Sequence, residues 1–260
     1  MFRNKGSIYG LILGLISIFG AYFLEGGSFN ALFLLPAMII VFGGTFAATI
    51  IGFGLDKFIK VFKLIKIAYF PKKYDLNKLI DGFVYIAIKA RREGLLSVEN
   101  DLKRLKYIFP QKMIRFALDG TDIDSLESLA LAEIKAMQDR HYSNIFVFTK
   151  MGGYAPTMGI IGTVMGLIMT LASAGNNPEE LIHNIASAFI ATLWGIFSAN
   201  IIWLPIADRL KQCHMEEKHM MEVSLEGVLA IQSGEIPSLI KSRLMSLLPQ
   251  KEQKIFGIAA

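Results

Sequence analysis

Apolar positions along the chain gather into four long blocks, arranged as two close pairs with polar, helix-patterned sequence between and after them. The first pair runs from Gly6 to Leu24 and from about Ala31 to Gly52, joined by the turn Gly26-Gly27-Ser28-Phe29-Asn30. The second covers roughly 151–174 and 184–207, joined by Gly175-Asn176-Asn177-Pro178-Glu179-Glu180. Each block is about as long as the ~20 apolar residues a helix needs to cross the hydrocarbon core. The pattern predicts an all-α integral membrane protein with four transmembrane helices and a cytoplasmic helical domain. The basic start Met1-Phe2-Arg3-Asn4-Lys5 has the charge arrangement of a signal peptide, but the apolar block is too long and ends in Tyr22-Phe23-Leu24-Glu25, so it predicts a retained span. Pro36 and Gly43-Gly44 are expected to let the second span bend or pack closely.

Four sections follow: residues 1–52 as the first two spans, 53–149 as a cytoplasmic helical domain, 150–208 as the third and fourth spans, and 209–260 as a cytoplasmic helical tail. From Phe53 to Phe70 a lysine recurs every third position (Lys57, Lys60, Lys63, Lys66). That pattern fits a helix lying on the inner membrane surface or a plain continuation of the second span, ended by Pro71 either way. Asp75 is placed to cap a helix from Leu76, Gly94 breaks the chain, and Ser97 with Glu99 and Asp101 marks a further helix start. Thr121-Asp122-Ile123-Asp124-Ser125 opens a long helix whose apolar face is Leu126, Leu129, Ala130, Ile134 and Met137, with no proline before Pro156. Residues 208–231 are amphipathic and are expected to pack against the middle bundle; the tail from Ile236 is expected to fray.

Composition sharpens the class. Hydrophobic residues make up 53% of the chain, and the mean hydropathy of +0.46 excludes a large soluble domain. The net charge of +5 would fit nucleic acid, but the lysines and arginines sit beside the spans, which explains the excess by topology. Arg3, Lys5 and the lysines from Lys57 to Lys73 flank one side, while the short connections carry only Glu25, Glu179, Glu180 and His183. The positive-inside rule therefore puts both termini and the middle segment in the cytoplasm. Cys213 is the single cysteine, and His214 and His219 are five residues apart, so no disulfide framework or metal pair is expected. No phosphate loop, zinc motif or nucleophile elbow occurs; neither catalysis nor a cofactor is expected.

The second pair of blocks carries candidate chemistry of another kind. Gly159, Gly162 and Gly166 leave one helical face without side chains, so another helix can approach. Hydroxyls occur at Thr157, Thr163, Ser173, Ser187, Thr192 and Ser198. Such a hydroxyl can bond the carbonyl one turn back and do nothing more. Thr163, inside the glycine face, and Thr192, mid-span with Gly195 nearby, are the two placed to do otherwise. None of the four spans contains Asp, Glu, Lys, Arg or His, yet an ion crossing hydrocarbon needs a polar stepping point. A partner must bring the carboxylate.

Three stretches carry a family resemblance: Ala90-Arg91-Arg92-Glu93-Gly94-Leu95-Leu96-Ser97-Val98-Glu99, the run Ala155-Pro156-Thr157 through Gly166, and Ala191-Thr192-Leu193-Trp194-Gly195 followed by Pro205. With the order of spans, they resemble the A subunit of the bacterial flagellar stator, the MotA/PomA type. The resemblance implies a ring, a pentamer, around two MotB/PomB-type one-span subunits anchored to peptidoglycan, in the bacterial inner membrane. Ion flow would turn the ring against a FliG-type rotor protein. It implies that Pro156 and Pro205 are the prolines near the cytoplasmic ends of the third and fourth spans. Arg91 and Glu99 correspond to the rotor-contacting pair, with Arg92 a neighbouring base; Glu133 matches another charged residue of that block. Sodium-driven relatives resemble this chain in the threonine at Thr163, whereas Thr192 is common to both kinds and Ala191 departs from some sodium-driven relatives. The rivals are an ExbB/TolQ-type energising subunit, which usually has three spans, and a passive membrane scaffold.

Overall fold

Where a chain must cross hydrocarbon, backbone donors and acceptors have to be satisfied within the chain, and helix does this segment by segment. The computed structural model describes residues 6–172 and 178–249, and every regular element among them is helical. The candidate amino-terminal basic residues, Ser173 and the connection 175–177 lie outside the described residues.

Helix α1 spans Gly6–Leu24. The second apolar block is not one plain helix. It starts as α2 (Phe29–Leu32) and, after a break, α3 (Leu35–Met38), then passes through a π turn (Ile39–Gly43) into α4 (Gly44–Phe53). Pro36 lies in the first turn of α3, where its missing donor would be unsatisfied anyway, so it starts a helix and does not bend one. Gly54, at φ +80°, then ends α4, and α5 (Leu55–Tyr69) begins as a separate helix, which removes the reading of 53–70 as a straight continuation. Four segments among the described residues are long and apolar enough to cross a membrane: Gly6–Leu24, Phe29–Phe53, and parts of the helices starting at Ile123 and Pro178.

The chain divides into two compact units. The first comprises residues up to Lys72 and His141–Cys213. It therefore takes in α5, because Val61 and Ala68 are buried with Phe148, Met151 and Trp203. A second buried group joins the two pairs of spans: Ala37 and Val41 with Ala191, Trp194 and Phe197. Trp194 is its centre. Its ring meets Phe19, Phe33, Phe42 and Phe197, and its indole Nε1 donates to the carbonyl of Leu32 at 2.8 Å. That carbonyl ends α2, so the indole satisfies an acceptor the broken helix leaves over.

The second unit holds 73–140 and the chain from His214. Asp75 caps α6 (Leu76–Glu93), accepting from the Lys78 amide at 3.2 Å. Asp122 does the same for α8 (Ile123–Ala172) by accepting from Ser125. Between them stands α7 (Ile108–Leu118). Leu126, Ala130, Ile134 and Met137 are buried, whereas Leu129, expected on the same face, is 38% exposed. The helix expected from Ser97 is a 3₁₀ segment, Leu95–Arg104. Gly94 precedes it at φ +83°, the Ser97 hydroxyl and amide both donate to the Gly94 carbonyl, and Asp101 is drawn to Lys89 at 2.7 Å. The segment also lies close on α6: a Cβ on Gly82 would stand 3.2 Å from the Arg104 carbonyl oxygen.

After α9 (Pro178–Phe197) and a second π turn (Ser198–Trp203), α10 runs Leu204–Gln232. Its later part, including Met221, Val223 and Val228, is buried with Leu79, Phe83 and Ile86 of α6, as the amphipathic pattern predicts. The expected fraying from Ile236 is not found among the described residues, which end at Pro249; the rest of the tail, 250–260, lies outside them. Residues Pro237–Ser246 form α11, with Ile240, Leu244 and Met245 buried in the same core and Arg243 bridging Glu235 at 3.0 Å. Apolar burial outweighs the cost of ordering this stretch.

The Lys89 ammonium, by hydrogen bonding, holds the Asp101 carboxyl below its ordinary value of 3.8, and Asp101 in turn raises Lys89. A depressed carboxylate contributes stability that is whole above its unfolded value and is lost as pH falls through the folded one; the raised lysine loses its share as pH rises through its own folded value. Asp101→Asn is expected to lower the melting temperature of the second unit at neutral pH. The gap to the unsubstituted chain should close as pH drops below the ordinary aspartate range, as followed by circular dichroism.

Candidate functional site

The site is the seam between α8 and α9. Glycines set its spacing. A Cβ on Gly159 would stand 2.9 Å from the Ala191 carbonyl oxygen, and one on Gly195 would stand 2.8 Å from the Ala155 carbonyl oxygen and 3.1 Å from Gly159 Cα. At Gly166 it would meet Ala188 Cβ at 2.8 Å, and at Gly162 Ala191 Cβ at 2.6 Å. The two backbones are in contact, which only residues without a side chain allow.

This approach brings the two singled-out threonines together. Thr163 Oγ1 lies 3.1 Å from its own-helix Gly159 carbonyl oxygen, 3.0 Å from the Ala188 carbonyl oxygen of α9, and in hydrogen-bond contact with Thr192 Oγ1. A hydroxyl has one proton, so Thr163 can donate to only one of these three oxygens at a time, while its own lone pairs can accept from Thr192. The result is a knot of oxygens, half-buried, with more lone pairs than protons.

Most other hydroxyls of the hairpin behave locally. Thr157 bonds the Tyr154 carbonyl, and Ser198 the Gly195 carbonyl, each within one turn. Sequence reasoning did not single out Thr45 and Thr49 of α4, which are fully buried and bond back to the carbonyls of Val41 and Thr45. Nor did it single out Asn184, buried on α9 with its amide nitrogen unpartnered among the described residues; only its spacing of four and eight residues from Ala188 and Thr192 marks it as sharing their face.

Pro156 sits inside α8, half-buried, with its Cα 3.3 Å from the place a Cβ on Gly195 would take. Pro205 is exposed, in the first turn of α10 immediately after the π turn. A π turn shifts the hydrogen-bond register by one residue, which accommodates a proline without ending the helix. The charged candidates lie in the second unit. Arg91 and Arg92 close α6, and Glu99 is on the 3₁₀ segment; all three are exposed and in no ion pair among the described residues. Glu133 differs, because Lys112 holds it at 2.6 Å.

Residues 8–94 match the "Motility protein A N-terminal" family, and residues 100–223 the "MotA/TolQ/ExbB proton channel family". The chain is 36% identical to Motility protein A of Bacillus subtilis over 98% of this chain and 94% of that protein. The chain belongs to the MotA/PomA family. It is also 30% identical to chemotaxis protein PomA of Vibrio alginolyticus, over 97% of this chain and 98% of that one. Its fold matches a chain of the flagellar MotAB stator complex from Bacillus subtilis with a TM-score of 0.90, covering 97% of this chain and all of that one. The C. jejuni MotAB structure matches with a TM-score of 0.88 at 25% identity. A MotA/PomA chain is a stator subunit of a two-protein complex, embedded in the inner membrane by several spans, and not an enzyme.

The seam makes a testable distinction between glycines. Gly195→Val is expected to displace α9 from α8 and prevent a stable fold, whereas Gly153→Ala, which meets nothing within 4 Å, should be neutral. Thermal melting in detergent, compared for the two variants, measures the difference.

Proposed function

We propose that this chain, as a ring of five copies around two MotB/PomB-type subunits, forms an ion path along the α8–α9 seam and converts sodium flow into torque. The observation that carries the sodium reading is the knot at Thr163 and Thr192. A proton needs only a carboxylate to hop on, but sodium must exchange its water shell for several oxygen ligands. The Thr163 hydroxyl, with the Thr192 hydroxyl and the Ala188 and Gly159 carbonyls gathered within hydrogen-bond reach of it, supplies such ligands. The carboxylate comes from the partner's span, because the spans of this chain have none.

In this reading both termini, the domain 53–149 and the tail 209–260 are cytoplasmic, as the lysine distribution supports. Arg91, Arg92 and Glu99 present unpaired charge to a FliG-type rotor surface, where complementary charge sets register more than affinity. Pro156 and Pro205 couple ion occupancy in the seam to the cytoplasmic domain: Pro156 lies against Gly195, and Pro205 borders the π turn.

Three outcomes are expected. Liposomes holding this chain alone should show no selective ion flux, and flux should appear only with the one-span partner. Swimming speed should rise with external sodium at fixed pH and persist with a protonophore; speed that ignores sodium and collapses with the protonophore makes the proton the coupling ion. Reversing the charges of both Arg91 and Glu99 should impair torque while the complex still assembles, since unpaired surface charges each contribute under about 1 kcal/mol to stability.

A further inference from the structure

Within the first unit, a recess of about 210 Å³ opens between the start of α1, the end of α5 and the junction of the second π turn with α10. Its walls are apolar at Leu11, Ile201 and Ile206 and polar at Ser7, Tyr69, Asn200 and Arg209. Among the described residues no carboxylate lines it. The Arg209 guanidinium spends one Nη1 donor on the Gln212 side chain at 2.8 Å, and its Nε is buried without an acceptor among the described residues. The side chain as a whole is half-buried, but a buried N–H with nothing to receive its proton is costly unless an outside group fills the place. Burial pushes the Tyr69 phenol up, so it too stays a donor.

The position of the recess selects the ligand. Arg209 stands two residues past the fourth apolar block, after Asp208, and Ser7 is the second residue of the first, so the donors stand at the ends of the spans, with exposed apolar side chains of α1 such as Leu13 and Ile16 beyond them. We propose that the recess binds the headgroup phosphate of an anionic phospholipid, with Arg209 as the charged anchor, Tyr69 and Ser7 as neutral donors, and the acyl chains lying along α1. A basic pocket between spans at the membrane surface is suited to such a headgroup. The proposal rests on the membrane-spanning reading of these helices and is independent of which ion the seam carries.

The test uses the full chain in a neutral detergent, with phosphatidylglycerol, phosphatidylcholine or inorganic phosphate added, and bound lipid counted by native mass spectrometry. Phosphatidylglycerol should bind saturably, and loss of one charge-assisted contact in Arg209→Gln should weaken it about ten-fold. Arg209→Lys should keep part of the binding, and Tyr69→Phe, which preserves the ring, should lose part of it, so a folding defect in one variant does not decide the matter. Equal retention of phosphatidylglycerol by Arg209→Gln and the unsubstituted chain would overturn the proposal. So would equal binding of phosphatidylcholine, or full competition by inorganic phosphate, which would make the ligand a free anion. No ion flux enters the readout, so the ion path stands or falls separately.

Discussion

Close backbone contact between α8 and α9 is the interaction on which the membrane unit depends. Lipid is as apolar as a leucine side chain, so helices in hydrocarbon gain little by hiding apolar surface and gain most from tight packing and shared hydrogen bonds. Gly159 and Gly195 remove the side chains that would hold the two backbones apart. Only at that distance can the Thr163 hydroxyl reach the Ala188 carbonyl and Thr192 across the seam. The α3–α4 segment then fits against the same hairpin, since Gly44 lies under Met158 and Ile40 over Gly162. The oxygen knot is a consequence of packing, and a side chain at Gly159 or Gly195 would disperse it.

Aromatic contacts do for the two pairs of spans what glycines do for the hairpin. Trp194 is four residues from Ser198, at the approach to the second π turn, and its indole bond to Leu32 needs the gap between α2 and α3. The irregular start of the second span is therefore matched to a donor on the fourth. Both π turns fall within or beside this contact: Val41 of the first is in the Trp194 cluster, and the second begins one residue past Phe197. Such turns are frequent at working parts of helices.

The second unit sorts its charges into two kinds. Lys89 with Asp101, Lys112 with Glu133 and Arg243 with Glu235 are engaged with each other and hold elements of the bundle together. Arg91, Arg92 and Glu99 are near these in sequence but have no ion-pair partner among the described residues. The same residue types thus serve folding in one place and remain available to another molecule a turn away.

Hydropathy and length alone determined the four spans, because a helix crossing hydrocarbon must be apolar along its whole length. The caps at Asp75 and Asp122 were equally legible, since capping is a local bond between a side chain and an amide three residues on. The glycine face and the absence of intramembrane charge pointed to a packed hairpin that needs a partner's acid. Other features were not local and so could not be read. Whether Thr163 bonds backward or across depends on the helix opposite, and that the residues from Leu95 form 3₁₀ turns depends on Lys89 reaching Asp101. The order of α11 was likewise hidden, because Ile240 and Leu244 look like scattered apolar residues until the core built by α6 and α10 gives them somewhere to be buried. Tertiary structure decided these points because each turns on which of several possible partners lies within reach, a distance that sequence spacing does not contain.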